Sequence, residues 1–305
     1  MNLDFKGRVA IVTGAGGGLG RQHALALAAR GAKVLVNDLG GARDGSLGAG
    51  SVTPAQSVVA EIRAAGGEAL ANGASVTDFA AVQAMVQQAV DAWGRVDILV
   101  NNAGILRDKS FAKMELDDFR LVLDVHLMGA VHCCKAVWPV MTAQQYGRIM
   151  MTTSSSGLFG NFGQSNYGAA KMALVGLMQT LAIEGAKNNI RVNSLAPTAA
   201  TRMTEGLMPE AVLEALKPEA VVPAMLVLCA EDAPTRRILC AGAGTFEAAH
   251  ITLTQGEWIG IGPEAPEELA ANLAAVVDRN GDSVPDSGAA QGTNEVGLAL
   301  AQLGR

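Results

Sequence analysis

The sequence alternates short apolar runs with longer helical segments. RVAIVTG (residues 8–14) is a β-branched run that ends in glycine, and a glycine turn after it opens a helix that ends at Gly31. Further strands are predicted over residues 33–41, 68–76, 95–104, 147–155 and 189–197, and further helices over residues 54–67, 77–94, 115–141 and 165–187. Strands that alternate with helices of this length pair in parallel and are covered on both faces. The pattern predicts an α/β fold, with a doubly wound parallel sheet in a single Rossmann-type domain.

The C-terminal part of the chain differs from this pattern. Residues 263–280 have the apolar spacing of one amphipathic helix, and the residues from 281 onward resemble a loose tail. We therefore expect the Rossmann-type domain to span residues 1–260, followed by a C-terminal helix and tail over residues 261–305.

Composition excludes several classes of function. The formal net charge is −6 and there is no long basic run, which argues against nucleic acid as a partner. The N-terminus enters a strand without a signal peptide, and no apolar run approaches the length of a membrane span. We therefore expect a cytoplasmic protein that does not bind membranes. The spacing of Cys133, Cys134, Cys229 and Cys240 is not that of metal ligands. We therefore expect these cysteines to be reduced thiols and expect no metal site.

The first binding signal is the glycine turn between the first strand and the first helix. Gly14, Gly18 and Gly20 have the spacing GxxxGxG. Glycines lack Cβ atoms and let the backbone approach a pyrophosphate, whose charge meets the helix N-terminus. Turns are glycine-rich in many proteins, but here strand, turn and helix follow in the order that a phosphate site needs.

Asp38 ends the second strand, next to the strand that carries the glycine turn. A carboxylate at this position accepts hydrogen bonds from the ribose hydroxyls of adenosine and repels a 2′-phosphate. It therefore favours NAD over NADP, although Arg43 in the following loop is a cation that softens this choice. The simpler alternative is an aspartate that forms the turn after the strand.

A proton-transfer site is indicated within TSSSGLFGNFGQSNYGAAK (residues 153–171). Tyr167 and Lys171 lie one turn apart on one face of a predicted helix. A phenol titrates near pH 10, and a nearby ammonium group lowers that pKa toward the range of a general base. Ser154, at the end of the preceding apolar run, can hold a carbonyl or alcohol oxygen beside the phenol. Tyr-x-x-x-Lys also occurs by chance on amphipathic helices, so the pair alone leaves both interpretations open.

Together these motifs resemble the short-chain dehydrogenase/reductase family. The TGxxxGxG turn, Asn101-Asn102-Ala103-Gly104, Ser154 and Tyr167-x-x-x-Lys171 occur in the order of that family, over about residues 5–250. The resemblance implies an NAD-dependent enzyme that interconverts a secondary alcohol and a ketone. By position, Ser154 holds the substrate oxygen, Tyr167 is the acid/base, and Lys171 lowers the tyrosine pKa and binds the nicotinamide ribose. The implied NAD site is lined by Gly14, Gly18, Leu19, Gly20, Asp38, Ser75, Val76, Asn102, Ala103, Gly104, Tyr167, Lys171 and Pro197.

A closer resemblance is to the (3R)-hydroxyacyl-CoA dehydrogenase domains of type 2 peroxisomal multifunctional enzymes, also called 17β-hydroxysteroid dehydrogenase type 4. It is carried by VNDLGG, NNAGILRDKSF, DVHLMG and GNFGQSNYGAAK. Two positions depart from the wider family. His126 stands where most members have Asn, and Ser75 stands where an Asp often contacts adenine. We expect His126 to be a core residue and leave it out of the catalytic set.

The sequence leaves the substrate class open. The first expectation is a (3R)-3-hydroxyacyl-CoA dehydrogenase. The alternatives are a 17β-hydroxysteroid or related secondary-alcohol dehydrogenase and, from another class, a non-catalytic NAD-binding protein. An apolar lining suited to an acyl chain or a steroid is offered by Leu158, Phe159, Phe162, Met203, Leu207 and Met208. Cations that could meet CoA phosphates are Arg107, Lys109, Lys113, Arg202 and Lys217.

Assembly is predicted from the two longest helices. Family members pair through the helices that correspond to residues 115–141 and 165–187. Both segments of this chain are rich in Ala, Leu, Val and Met, beyond what contact with one sheet requires. We therefore expect a homodimer or a homotetramer.

Overall fold

The fold is given by a computed structural model that describes residues 3–42, 44–46, 53–200 and 209–303. The chain divides into two compact units, Met1–Ala249 and His250–Arg305. Within the described residues, the first unit holds an eight-stranded sheet of order β3-β2-β1-β4-β5-β6-β7-β8. The strands are β1 (Val9–Thr13), β2 (Lys33–Asn37), β3 (Ala69–Asn72), β4 (Ile98–Asn101), β5 (Gly147–Thr152), β6 (Ile190–Thr198), β7 (Ile238–Gly242) and β8 (Thr245–Ala249).

Helices cover both faces of this sheet. They are α1 (Gly18–Ala29), α2 (Thr53–Ala64), α3 (Phe79–Trp93), α4 (Leu116–Leu123), α5 (Gly129–Gln144), α6 (Ser155–Phe159), α7 (Ser165–Gly185), α8 (Glu210–Ala215) and α9 (Val222–Cys229). Successive side chains of β1 enter different cores: Val12 packs in the cluster that contains Leu27 of α1, and Ile11 in the cluster that contains Met85 of α3. The strands are therefore buried on both sides, which confirms the predicted doubly wound α/β fold.

The strand order places a crevice at the centre of the sheet. β1 pairs in parallel with β2 on one side and with β4 on the other, so Ala10 lies between Val34 and Ile98. The chain moves outward in opposite directions from these two central strands. In such sheets, ligands bind outside the carboxyl ends of the strands where the order reverses. The residues after β1, β4 and β5 are therefore the candidate site.

The helix predicted over residues 115–141 is not uniform. One turn of π-helix, Asp124–Met128, separates α4 from α5. By length and composition alone the continuous run Leu116–Gln144 could cross a membrane, so the expectation that no apolar run approaches that length is wrong. Its inner residues, such as Val122 and Met141, are fully buried. A core helix passes the same test, so this helix by itself is weak evidence for a membrane span.

Two features of the C-terminal third differ from expectation. The sequence did not predict β7 and β8; β8 pairs antiparallel to β7, and four of its five residues are exposed, so it lacks apolar alternation. Because β8 completes the sheet, the first unit closes at Ala249 rather than at residue 260. The second unit contains α10 (Ala265–Ala271), α11 (Leu273–Val276) and α12 (Ala289–Gln302). The expected single helix is thus split in two, and the expected tail contains a helix.

The four cysteines are free thiols. Burial raises the pKa of Cys134 and of Cys229 to about 12 in each case, so both are protonated at neutral pH. Over the described part of the chain, no group of three or more His, Cys, Asp or Glu residues is arranged to hold a metal ion.

Candidate active site

The glycine turn after β1 forms a cradle that side chains would fill. Gly14 has φ of +61°, and a Cβ there would lie 2.8 Å from the Cα of Ala103. A Cβ at Gly20 would collide with the carbonyl oxygen of Gly14. Helix α1 begins at Gly18, and its N-cap Gly17 offers no side-chain hydrogen bond to the first turn. The backbone N–H groups of that turn therefore remain available to an anion such as a pyrophosphate.

Asp38 is held against this turn. Its carboxylate accepts hydrogen bonds from the backbone N–H groups of Gly16 and Gly40, each at 2.8 Å. A Cβ at Gly16 would lie 2.8 Å from the same carboxylate, so the close approach requires glycine. A carboxylate has about four acceptor positions, and two remain for ribose hydroxyls. The residues that fit NAD are thus in place, while Arg43 lies outside the described residues.

Asn102 fixes the end of β4 to the glycine turn. Its Nδ2 donates to the carbonyls of Thr13 and Gly14, each at 3.0 Å. The hydroxyl oxygen of Thr13 accepts from the backbone N–H groups of Asn102 and Ala103. Sequence reasoning named Asn102 as a cofactor ligand and did not anticipate this role for Thr13. The cradle is therefore supported by hydrogen bonds between two neighbouring strands.

The other predicted cofactor residues lie around this edge. Val76 is buried, and its carbonyl is 2.9 Å from Nδ1 of His132. The hydroxyls of Ser75 and Thr77 are 2.8 Å apart. Pro197 lies in β6 opposite Ala241, and Leu19 packs against the core on the α1 side. These positions stay predicted NAD contacts.

The structure brings Ser154, Tyr167 and Lys171 together at the end of β5. Ser154 caps α6, and its hydroxyl accepts from the N–H of Ser156 at 3.1 Å. The same hydroxyl is near enough to the Tyr167 phenol for a hydrogen-bonding interaction that lowers the phenol pKa. Nζ of Lys171 lies 5.4 Å from the centroid of the Tyr167 ring and donates to the carbonyl of Thr152 at 2.5 Å. This arrangement can hold an alcohol oxygen beside a phenol and an ammonium group.

The titration behaviour differs from the simple expectation. Burial raises the pKa of Tyr167 above its ordinary value near 10; the Ser154 hydrogen bond opposes the rise and the charge of Asp108 adds to it. Burial also lowers the pKa of Lys171 to about 7. We expected Lys171 to lower the phenol pKa, but the cost of burying a phenolate dominates, and the Lys171 side chain donates to the Thr152 carbonyl.

His126 lies directly against Tyr167. Its ring meets that of Tyr167 edge to face, with centroids 5.2 Å apart, and its Nε2 is 2.8 Å from the carbonyl oxygen of Ile105. Burial, followed by the charge of Lys171, lowers the pKa of His126 to about 3. The ring is therefore neutral at physiological pH. A Cβ at Gly104 would collide with this ring, which gives that glycine a packing role.

Asn166 is a supporting residue that sequence reasoning missed. It is fully buried in the first turn of α7, its Oδ1 accepts from the Tyr167 N–H at 2.7 Å, and its Nδ2 donates to the carbonyl of Arg107 at 3.0 Å. Asn is a poor former of helix interiors and a good local hydrogen-bonding residue. The signal for this role in the sequence was an Asn directly before Tyr167.

The predicted substrate residues are only partly described. Phe159 and Phe162 are 73% and 90% exposed, so the apolar wall after β5 faces solvent. Of the predicted CoA cations, Arg107 and Lys109 both pair with Asp118, and Lys217 pairs with Glu214. Paired cations are less available to CoA phosphates than the sequence suggested. Four further predicted substrate residues lie outside the part of the chain that the structure describes: Arg202, Met203, Leu207 and Met208.

Comparison with known proteins agrees with this geometry. The family model for short chain dehydrogenase matches residues 8–211. A protein of Mycobacterium tuberculosis named as a short-chain type dehydrogenase/reductase is 50% identical over 278 residues, which cover 91% of this chain and 96% of that protein. Peroxisomal multifunctional enzyme type 2 of Drosophila melanogaster is 56% identical over 230 residues, covering 75% of this chain but only 38% of that enzyme.

Solved structures give the same picture. The structure of that full-length Drosophila enzyme superposes with a TM-score of 0.80 at 39% identity, covering 98% of this chain and 50% of the other. A 7α-hydroxysteroid dehydrogenase, in complex with NADH and 7-oxo glycochenodeoxycholic acid, superposes with a TM-score of 0.71 at 30% identity, covering 80% of this chain and 96% of the other. The likeness to the multifunctional enzyme is therefore limited to part of its length.

Proposed function

We propose that this chain, which belongs to the short-chain dehydrogenase family and is an oxidoreductase acting on CH–OH groups, is an NAD-dependent (3R)-3-hydroxyacyl-CoA dehydrogenase. The observation that carries the chemistry is the convergence of Ser154, Tyr167 and Lys171 beside the glycine cradle. The acyl-CoA substrate is supported by the 56% identity to the Drosophila peroxisomal multifunctional enzyme type 2. The family membership sets aside the interpretation as a non-catalytic protein.

The residues have distinct parts in the reaction. Ser154 holds the hydroxyl oxygen of the substrate, and Tyr167 takes the hydroxyl proton in the oxidative direction. Before it takes this proton, Tyr167 is a phenolate, and the Lys171 side chain stabilises that phenolate when the lysine is protonated. Burial lowers the pKa of Lys171 to about 7. NAD, when bound, accepts the hydride from the carbinol carbon.

We assign the preference for NAD over NADP to Asp38. Its carboxylate accepts two backbone N–H bonds at the edge of the cradle, and a 2′-phosphate beside it would add repulsion between like charges. We expect NAD to be preferred over NADP, and Asp38→Ala to narrow that preference mainly by weakening NAD. Equal catalytic efficiency with both cofactors in the unmutated protein would contradict the assignment.

A second candidate is a 17β-hydroxysteroid, or another steroid or secondary-alcohol, dehydrogenase. It is favoured by the likeness to the 7α-hydroxysteroid dehydrogenase and by the solvent-facing wall that includes Phe159 and Phe162. Steady-state kinetics on a panel of 3-hydroxyacyl-CoA thioesters and 17β-hydroxysteroids, each with NAD and NADP, separates the candidates. A kcat/KM for steroids well above that for every thioester would reject the acyl-CoA assignment.

Assembly and location complete the proposal. Large apolar side chains are exposed on α7, at Met172 and Ile183, and on the π turn, at Met128. Exposed apolar side chains of this kind are typical of surfaces through which copies of a chain associate. We propose a homodimer or homotetramer in the cytoplasm. Light scattering at micromolar concentration tests the first part, and a monomer mass would contradict it; fractionation of the source cells tests the second.

A further inference from the structure

Arg107 connects two loops that flank the site. It lies in the loop after β4, with its side chain 30% exposed. Its Nη1 contacts Oδ1 of Asp118 in α4 at 2.8 Å, and its Nε donates to the backbone carbonyl of Asp44 at 2.6 Å. The guanidinium group therefore makes hydrogen bonds to protein groups through both Nη1 and Nε.

Asp44 belongs to the cofactor-side loop, defined as Asp38–Ala42 and Asp44–Ser46. The loop begins at Asp38, whose carboxylate is held by Gly16 and Gly40. Its far end is closed by a hydrogen bond from Ala42 N–H to the Ser46 carbonyl at 3.0 Å.

The loop is long and rich in glycine. Gly40 and Gly45 have φ of +77° and +80°, conformations that other residues rarely adopt. A chain of this composition loses much conformational entropy when it is fixed. The contact with Arg107 therefore limits the freedom of the loop before any ligand binds.

The backbone of Arg107 is fixed independently of its side chain. Its carbonyl accepts from Nδ2 of the fully buried Asn166, next to Tyr167 in α7. Loss of the side chain therefore leaves the link between this loop and the catalytic helix in place. The side chain instead joins the cofactor-side loop to Asp118 in α4.

We propose that Arg107 is a positioning residue for the cofactor. By joining the cofactor-side loop to Asp118, it holds the loop that carries Asp38 in its binding conformation, without itself contacting the cofactor. The proposal rests on the proposed function, specifically on Asp38 as the ligand of the adenosine ribose. Preorganisation of this kind strengthens binding by reducing the entropy lost when the complex forms.

Calorimetric titration of the full chain with NAD and with ADP-ribose tests this. Arg107→Met should raise the Kd of both ligands about tenfold, the scale of one charge-assisted hydrogen bond. At saturating NAD, kcat should stay within about threefold, because the Asn166 contact remains. Arg120→Met is the matched control: its side chain is 70% exposed and pairs with Asp117 at 3.1 Å, so both Kd values should be unchanged.

A double-mutant cycle separates positioning from general destabilisation. In an Asp38→Ala background, Arg107→Met should change the Kd of NAD by less than about twofold, because the group being positioned is gone. A full tenfold effect in that background would overturn the proposal. Arg107→Lys keeps the charge but cannot make both contacts, so it should weaken binding in the same direction and replaces Arg107→Met if the latter fails to fold.

Three further outcomes are decisive. A raised KM for the acyl-CoA with an unchanged Kd for NAD would mean that Arg107 binds substrate phosphates, and the proposal would be wrong. If Asp38→Ala itself leaves NAD affinity unchanged, the cofactor assignment fails and this inference fails with it. If Asp38→Ala weakens NAD and Arg107→Met does not, only the inference about Arg107 fails.

Discussion

At the scale of single residues, the proposed chemistry depends on the protonation state of Tyr167. Burial raises the pKa of its phenol and lowers the pKa of Lys171 to about 7. Oxidation of an alcohol requires a phenolate or its equivalent. The positive nicotinamide ring and a protonated Lys171 both favour that form. Cofactor binding is therefore expected to change the acid/base residue itself.

The phenol can be titrated directly, because the chain has 2 tyrosines. The Cζ atoms of Arg8 and Arg148 lie 3.8 and 4.1 Å from the ring centroid of Tyr146, and Phe preserves that ring. In Tyr146→Phe, the ultraviolet absorbance of phenolate should titrate above pH 10 without cofactor and at lower pH with NAD. A midpoint below that of free tyrosine in the absence of NAD would refute the burial argument. The variant that lacks both tyrosines gives the baseline.

Removal of the transferable proton should separate chemistry from binding. Tyr167→Phe keeps the ring packed against His126 but has no hydroxyl, so kcat should fall about a hundredfold or more. The Kd for NAD should change little. Tyr146→Phe is the control and should keep its activity. Near-normal turnover of Tyr167→Phe would place proton transfer on another group.

At the scale of elements, the turn between β1 and α1 is the most constrained part of the site. A Cβ at Gly20 would meet two backbone groups, the carbonyl of Gly14 and the Cα of Ala15, neither of which can rotate away. Some other glycines of the same unit are not restricted in this way. Gly176 in α7 has no heavy atom within 4 Å of its ideal Cβ.

This difference predicts opposite effects of one substitution. Gly20→Ala should weaken NAD binding more than about tenfold, because the turn must shift away from the pyrophosphate. Gly176→Ala should leave binding unchanged and raise the free energy of unfolding by up to about 1 kcal/mol, the helix propensity difference. Calorimetry with NAD and urea unfolding measure the two quantities. Equal NAD affinity in Gly20→Ala and wild type would contradict the cradle.

At the scale of the whole molecule, buried histidines predict sensitivity to acid. His23 in α1 is fully buried, and neither ring nitrogen has a hydrogen-bond partner in the described part of the chain. Burial lowers its pKa from 6.5 to about 4. The unfolded chain therefore binds a proton before the folded one does. The stability from keeping this ring neutral is complete above pH 6.5 and is lost as the pH falls toward 4.

The free energy of unfolding should fall by about 3 kcal/mol through His23. This figure is the difference between the pKa values of His23 in the unfolded and folded chain, converted at about 1.36 kcal/mol per pKa unit. Urea unfolding between pH 7 and about pH 4 should show a falling free energy of unfolding. His23→Leu should remove part of this slope, and the part due to His126, whose pKa is lowered to about 3, should remain. An unchanged slope in His23→Leu would show that this ring is not the titrating group.

The sequence by itself determined the architecture and the place of the site. Alternation of apolar runs located β1 to β6 and most helices, because burial on two faces imposes a pattern along the chain. The spacing of Gly14, Gly18 and Gly20 and the pair Tyr167 and Lys171 are local, and a strand, a turn or one helical turn is enough to align them. β8 and α12 lack buried residues, so nothing in their composition marked them.

Only the tertiary structure determined the pKa values and the hydrogen-bond partners of these residues. The raised pKa of Tyr167 and the lowered pKa of Lys171 follow from burial, which depends on segments distant in sequence. Sequence spacing likewise does not show that Asn166 supports Tyr167 or that Arg107 is bound to Asp44 and Asp118. Side chains meet these partners only once the strands are ordered in the sheet, so a cation that sequence assigns to a ligand is in fact paired within the protein.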